Sequence, residues 1–316
     1  MWMMFAISSM ILCAAGTILS NKIVRDNTLI GPPMAYFSTS FFCFLSAIAM
    51  WLMGIGESGA SPAAILFEHP LIILATVSTF LSTLLGLIAF RFIGVSIKTV
   101  ISGFSSIFLF LGLVSINVFT GKLGSVKEIL VPGRLIPIIL IIVCTFLLSK
   151  TDKAVADESE RSKNKFNAIL TGILIGLVAC VFDASDSLIV SYCVGDNQVG
   201  AIDYYIAASS MDILFGIGCF IIAIIKLKKT HVSYKDIYKI IPSMFILGIL
   251  SIGCMLTYVI GSSYDAVKFA MLYIAYPIVP LIGAGVFLKE RYTAKQYFCI
   301  FGIAIASIVF CLMDYV

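Results

Sequence analysis

The chain has few charged residues and few histidines for its length. Only 12% of its 316 residues are charged and only two are histidine, whereas a soluble domain carries roughly a quarter charged residues. Its mean hydropathy is +1.09. A surface so poor in charge would not stay in water. The composition therefore predicts a membrane protein. In such a protein the net charge of +4 is informative about membrane topology and does not indicate binding to nucleic acid.

Motifs of several enzyme and metal-binding classes are missing. The nine cysteines form no CxxC pair and lie mostly within apolar runs, away from His69 and His231. This pattern is typical of small reduced side chains rather than of disulfides or a metal site, so we expect no metal and no cofactor. The sequence has no HExxH, no Gly-x-Ser-x-Gly and no Walker loop. We therefore expect neither an enzyme nor an ATP-driven pump.

Long apolar windows run through the whole chain. A spanning helix needs about 20 mainly apolar residues, which predicts ten helices, at 2–22, 33–54, 70–92, 96–119, 132–149, 166–193, 201–225, 240–260, 265–288 and 294–313. A charged linker at 151–164 separates the halves 1–150 and 165–316, with five helices each. Because five is odd, the second half enters the membrane from the opposite side. The predicted fold is an all-α polytopic membrane protein of two inverted repeats.

One residue pattern occurs in both halves. Gly94 follows an apolar helix and precedes a second apolar stretch that reaches Val118. Gly261 has the same place in the second half, where the stretch reaches Val286, and the two spacings differ by one residue. Many transporters are built from two repeats around a central binding site. The duplication therefore indicates transport.

A polar turn from Phe287 to Gln296 precedes a last helix that contains Gly302. With ten helices in two halves, this order resembles the drug/metabolite transporter superfamily, of the EamA type. The segment Thr120-Gly-Lys122 departs from the family, which usually has an acidic residue there. The resemblance implies a secondary active transporter, an exporter or exchanger of a small polar metabolite. It also implies a central cavity lined by helices one, three, four, six, eight and nine.

Basic residues predict an orientation. All but four of the 21 Lys and Arg residues fall in the connections after helices one, three, five, seven and nine. The positive-inside rule places those connections in the cytoplasm and both termini outside, whereas the family resemblance implies cytoplasmic termini. The two orientations stay open at this point. The expected location is the plasma (inner) membrane.

Carboxylates inside predicted spans are the first candidates for a site. A charge at the centre of a spanning helix costs about 2.5–3.5 kcal/mol on insertion scales and needs a role. Asp183 and Asp186 are three residues apart and share one face of helix six, and Asp212 lies deep in helix seven. They could bind a cationic substrate or take up protons. Alternatively they bind neighbouring hydroxyls or lie near the membrane edge, and for Asp203 this alternative is favoured.

Basic and amide side chains give further candidates. Lys22, Arg91 and Lys98 lie at or near helix ends, where snorkelling to the headgroups is the default explanation. In a functional interpretation Lys22 or Arg91 would pair with an anionic substrate or with an Asp of the other repeat. Lys268 lies near the start of helix nine, and Asp265 three residues earlier is a competing ion-pair partner. Asn21 is a candidate both for substrate contact and for an interhelical hydrogen bond.

Helix nine combines Tyr273 and Tyr276 with Pro277 and Pro280. A proline inside a helix removes a backbone hydrogen bond and frees a carbonyl, which is tolerated where the helix lines a cavity. The tyrosines would offer hydroxyls and ring faces to a substrate. A kinked packing helix with interfacial tyrosines is the alternative.

The sequence as a whole predicts alternating access by a carrier, with uptake of a proton by Asp183 or Asp186 coupled to substrate release. Its expected partners are a small-molecule substrate, protons and membrane lipids but no nucleic acid, and the chain is expected as a monomer or homodimer. The alternatives are a flippase for a lipid-linked or amphipathic substrate, a polytopic membrane enzyme and an assembly partner. An enzyme should gather its polar groups near one membrane face, whereas a carrier should hold them midway.

Overall fold

The computed structural model describes residues 1–27, 29–93, 162–195, 198–230, 234–264, 278–287 and 293–312, with individual residues between 98 and 147 and between 269 and 276. This part of the chain contains helices and turns but no strand. Its helices are α1 (Trp2–Asp26), α2 (Gly31–Leu52), α3 (Pro62–Glu68), α4 (Leu71–Ala89), α5 (Ser162–Gly195), α6 (Ala201–Thr230), α7 (Tyr234–Tyr264), α8 (Ile278–Phe287) and α9 (Ala294–Leu312).

Six of these helices are long and apolar enough to cross a bilayer. They are α1, α2, α4 and the segments Leu170–Val194 of α5, Ala201–Lys229 of α6 and Ile240–Tyr264 of α7. The prediction of an all-helical polytopic membrane protein is thereby confirmed. Of the predicted spans 96–119 and 132–149 only single helical residues are described. The prediction of ten helices therefore stays a prediction, as do the division at 151–164 and the inverted repeat.

The short helix α3 lies between the predicted spans 33–54 and 70–92 and was not predicted from the sequence. Pro62 occupies the first helical position, where its missing N–H leaves no donor unpaired. The Ser61 hydroxyl accepts a hydrogen bond from the Ala64 amide at 3.3 Å and so caps the helix. A Ser-Pro pair ahead of an apolar run is the signal that predicts this helix.

The spans run in alternating directions between two faces of the bundle. On one, here the first face, the end of α1 (Ile23), the start of α2 (Ala35), the end of α4 (Leu87) and the start of α7 (Ile240) pack in one apolar cluster. On the opposite, second face a similar cluster joins the start of α4, the ends of α5 and α7 and the start of α6, through Ile72, Val194, Val259 and Tyr204. The site lies between these two clusters.

Three helix pairs make the largest contacts among the described elements. They are α1 with α7, α2 with α6, and α4 with α5. A glycine allows the close approach of α1 and α7, because a Cβ at Gly253 of α7 would lie 2.9 Å from Leu12 Cδ1. Gly172 of α5 packs against the turn that follows α4, where a Cβ would lie 2.7 Å from Phe92 Cβ. Small residues bring helix backbones together in membranes, where packing rather than the hydrophobic effect holds helices to each other.

Asp203 holds the α2–α3 connection on the second face. Its side chain is 4% exposed, and its Oδ2 accepts a hydrogen bond from the Ser58 amide at 2.8 Å. A Cβ at Gly56 would lie 2.5 Å from Asp203 Oδ1, so only glycine fits there. The Glu57 carboxylate lies against Gly200, just before α6, in a similar way. The role of Asp203 is therefore to dock this connection.

Replacing Asp203 should loosen this connection. We expect Asp203→Ala to destabilise the protein by about 1–3 kcal/mol, because the hydrogen bond from the Ser58 amide to the buried carboxylate is lost. Asp203→Asn keeps an acceptor oxygen and should cost less. Ser58→Ala is the matched control, since the bond uses the backbone amide. Thermal unfolding of the detergent-purified proteins measures the order of stability of these variants. An Asp203→Ala protein that melts at the temperature of the wild type would contradict the role given to Asp203.

Candidate functional site

A cavity of about 340 Å³ lies in the middle of the bundle. This volume is at the lower end of the range of about 300–1,000 Å³ that is usual for small-molecule sites. Its described walls come from α1, α2, α4, α5, α6 and α7, from residues between Lys98 and Leu109, and from Tyr273 and Tyr276. The resemblance had implied the first, third, fourth, sixth, eighth and ninth predicted helices. The second and the seventh, α2 and α6, also contribute.

Asp183, Asp186 and Asp212 all line this cavity. The hydrogen-bond partners that the structure gives them are hydroxyl groups. Ser105 donates to Asp183, Thr79 interacts with Asp186, and Tyr36 donates to Asp212. Hydroxyls orient these carboxylates without neutralising them, so the negative charge of the carboxylates stays available to bind a cation or protons.

The helix that carries two of these carboxylates has a lipid face and a cavity face. Leu174, Val178 and Val181 are exposed along one side of α5, and Asp183 and Asp186 lie on the side that lines the cavity. At 1.5 Å per residue, Asp183 stands about 20 Å of helical rise from Leu170 and about 17 Å from Val194, the ends of the apolar span. The carboxylates therefore lie midway along the span.

Among the described lining residues Lys98 is the one with a basic side chain. Its Nζ lies 5.5 Å from the centroid of the Phe90 ring, a cation–π contact. The same nitrogen also approaches Gly86, where a Cβ would lie 3.7 Å away, at an ordinary van der Waals distance. Sequence reasoning had placed Lys98 near a helix end as a snorkelling residue. Instead it lies against the cavity, where acidic groups outnumber it.

Tyr273 and Tyr276 stack on one another, with ring centroids 5.6 Å apart and planes 9° from parallel. The Tyr276 hydroxyl lies 2.9 Å from Thr17 Oγ1 and accepts a hydrogen bond from Cys13 Sγ at 3.5 Å. Tyr276 itself lies in a turn, and α8 begins two residues later, at Ile278. The two tyrosines therefore present their rings and hydroxyls to α1 and to the cavity.

A row of hydroxyls on α4 was not recognised in the sequence. Thr76, Thr79 and Thr83 line the cavity together with Ser82, and the spacing of the threonines marks one helical face. Thr76 and Thr79 donate to backbone carbonyls one turn earlier, at 2.8 and 3.0 Å. Bonds to the carbonyls of the same helix accommodate hydroxyls within a spanning helix, and Thr79 also interacts with Asp186. A search for polar residues at helical spacing within apolar windows would have found this face.

Other sequence candidates lie elsewhere. Lys22 is exposed, and neither it nor Asn21 nor Arg91 is among the described lining residues. Arg91 donates from Nη2 to the Leu29 carbonyl at 3.3 Å, which ties the end of α4 to the α1–α2 connection. Lys268 lies outside the described residues, as does Asp265. Within the described ranges no three His, Cys, Asp or Glu side chains are grouped to hold a metal ion.

Asn21 is buried and, in the described part of the chain, without a polar partner. Its side chain is 0% exposed, and neither Oδ1 nor Nδ2 finds a hydrogen bond. A buried polar group left unpaired costs roughly 1–3 kcal/mol. Asn21 therefore destabilises the conformation described here.

Comparison with known proteins identifies the fold but no family. No family model matches the chain, and no curated protein matches it. A solved structure described as "Crystal structure of protein" aligns with a TM-score of 0.62 over 97% of this chain and 97% of that chain, at 15% sequence identity. At that identity the likeness concerns the arrangement of the helices alone. The chain is thus a polytopic helical membrane protein with a polar cavity enclosed by its spans.

Replacing Asn21 by an apolar side chain of similar shape should stabilise the protein. We expect Asn21→Leu to raise the melting temperature, because the substitution removes two unpaired buried groups, each worth roughly 1–3 kcal/mol. Asn27→Leu is the contrasting variant, since Asn27 Oδ1 accepts a hydrogen bond from the Ile30 amide at 3.3 Å. That variant should melt lower than the wild type. If Asn21→Leu melts at a lower temperature than the wild type in detergent, Asn21 is not a buried side chain without a hydrogen-bond partner.

Proposed function

We propose that the protein is a secondary carrier that moves a small, positively charged polar metabolite by alternating access between two inverted five-helix halves. The observation that carries the proposal is the set of acidic side chains in the central cavity. The cavity holds Asp183, Asp186 and Asp212 within helices whose outer surface is apolar. Burying three acidic groups in membrane spans is costly, and such groups mark substrate and proton pathways.

The packing of the described helices supports an inverted duplication. If α1, α2 and α4 are the first three helices of one half, α5, α6 and α7 are their counterparts in the other. The pair α1–α7 then corresponds to the pair α5–α4, and the pair α2–α6 corresponds to itself. Exchanging the two halves leaves the pattern of contacts unchanged, as a two-fold axis in the membrane plane requires.

The directions of the helices support the same arrangement. α4 begins on the second face, where Ile72 packs, and ends on the first, where Leu87 packs. Its counterpart α7 begins on the first face at Ile240 and ends on the second at Val259. α2 begins on the first face and α6 on the second. Counterparts thus run in opposite directions, as in carriers that expose one site to each side in turn.

The charge of the cavity supports a cationic substrate. Three carboxylates and one ammonium group face the same space in the described part of the lining, so the balance is negative. Because Asp183 and Asp186 are one helical turn apart, a proton on either reduces their mutual repulsion. Protonation from one side would then release a bound cation to that side, which is the coupling proposed here.

The depth of the acidic groups favours a carrier over a membrane enzyme. Asp183 lies about 20 Å and about 17 Å of helical rise from the two ends of its apolar span, whereas catalytic groups that meet aqueous substrates are expected near one face. The order of the sequence motifs supports placing the carrier in the drug/metabolite transporter superfamily. The positive-inside rule favours a cytoplasmic location for the face where α1 ends, since Lys22, Arg25 and Lys226 lie there, whereas the family resemblance implies cytoplasmic termini.

Substitution of the paired carboxylates tests the coupling. We expect Asp183→Asn and Asp186→Asn to lower uptake into proteoliposomes and to make that uptake less dependent on pH. The reason is that an amide side chain, unlike a carboxylate, does not take up and release a proton within the pH range of the assay. Solutes for the assay are chosen by thermal shift from amino acids, sugars, nucleotides and organic cations. Organic cations should stabilise the protein most.

The matched control is Ser185→Ala. Ser185 lies between the two carboxylates in sequence, but its hydroxyl donates to the Val181 carbonyl at 2.8 Å on its own helix. Solute uptake by the Ser185→Ala variant, and the dependence of that uptake on pH, should equal those of the wild type. If both aspartate variants keep the wild-type pH profile, this pair does not couple protons to transport.

A further inference from the structure

Two cysteines meet where α1 and α7 are closest. A Cβ at Gly253 would lie 2.9 Å from Leu12 Cδ1, and the next residue on each helix is Cys254 and Cys13. Cys254 Sγ lies 3.9 Å from the Ser9 carbonyl oxygen, which is the acceptor for the Cys13 amide in a regular helix. The sulfur of Cys254 therefore stands against the turn of α1 that carries Cys13.

The two thiols lie in one cluster of polar side chains between α1 and α7. The side chains of Cys13 and Cys254 interact with each other. Ser9 Oγ lies 3.9 Å from Cys254 Sγ, and Cys13 Sγ also reaches the Tyr276 hydroxyl at 3.5 Å. The contact therefore joins two helices that are far apart in sequence and is held in place by neighbouring hydroxyls.

Four described cysteines line the cavity, and Cys13 and Cys254 are the more exposed two. The other two are Cys43 and Cys180, which are both buried. Of the eight cysteines whose side chains the structure describes, Cys13 and Cys254 are the two that are half-buried. Cys144 and Cys299 also interact with each other, but both are buried and neither is in the described lining. A small thiol reagent that enters the cavity therefore has better access to Cys13 and Cys254 than to the two buried lining thiols.

We infer that Cys13 and Cys254 form a site of reversible thiol oxidation, at which a disulfide bond links α1 to α7. This disulfide is called the clasp below. The oxidant is a low-molecular-weight disulfide, RSSR. One cysteine thiolate attacks RSSR, forms a mixed disulfide and expels RS⁻. The second cysteine thiolate then attacks the protein sulfur of the mixed disulfide and expels the second RS⁻. The two thiol protons end on two RSH molecules, and the protein holds one new S–S bond.

The consequence of the bond rests on the proposed function. α1 belongs to the first half and α7 to the second, so alternating access requires these helices to move against each other. A covalent bond between Cys13 and Cys254 prevents that movement next to the site itself. Oxidation thus stops the carrier, and a reducing thiol restarts it.

The test uses the full chain, reduced, purified and reconstituted in liposomes. The sample is treated with oxidised glutathione, and peptides are mapped by mass spectrometry without reduction. The expected product links Cys13 to Cys254 and leaves Cys144 and Cys299 as thiols. The bond should be missing in Cys13→Ser and in Cys254→Ser, and it should form normally in Cys144→Ser.

Two readouts follow the linkage. Uptake of the solute that gives the largest thermal shift should be lost on oxidation, return with dithiothreitol and be unaffected by oxidised glutathione in Cys13→Ser. The melting temperature of the linked wild type should rise, because the bond closes a very long loop. If no link between Cys13 and Cys254 forms, or if linked protein transports at the reduced rate, the clasp is refuted.

Failure of the proposed function gives a different result. In that case the reduced wild type takes up no solute of the panel, while the linkage and the melting temperature still report on the clasp. A link that raises the melting temperature then supports the clasp as a covalent tie between α1 and α7. A link without any rise refutes it.

Discussion

The fold depends on the constraint that lipid satisfies no polar group. Each described span closes its backbone hydrogen bonds as a helix, and the carboxylates of Asp183, Asp186 and Asp212 turn toward the cavity between the helices. On α5, Leu174 and Val178 face outward while Asp183 lines the cavity. Hydroxyl groups on neighbouring helices then hold the carboxylates in place. One requirement therefore produces both the apolar exterior and the polar interior of the bundle.

Close packing between helices places the walls of that interior. The pair α1–α7 approaches at Gly253, and Gly172 of α5 packs against Phe92 just after α4. Contacts of this kind depend on shape rather than on apolar area. They are the type of contact that can separate and form again during the movement proposed for the carrier. The contact between α1 and α7 also brings Cys13 and Cys254 together beside the cavity.

Local spacing in the sequence predicted part of the site. Asp183 and Asp186 share a face because three residues make nearly one turn, and both line the cavity. Other parts depend on contacts that spacing does not encode. The hydrogen bond from Tyr36 to Asp212 joins residues 176 positions apart. Lys98 was interpreted as snorkelling because its distance from a helix end was visible in the sequence, whereas its packing against Phe90 was not.

An experimental structure of the full chain in lipid nanodiscs tests the central claim most directly. The account predicts ten crossings, with the second five-helix half inverted relative to the first. It also predicts a cavity near the midplane that contains Asp183, Asp186 and Asp212. An odd number of crossings, or two halves that point the same way, would contradict the carrier described here.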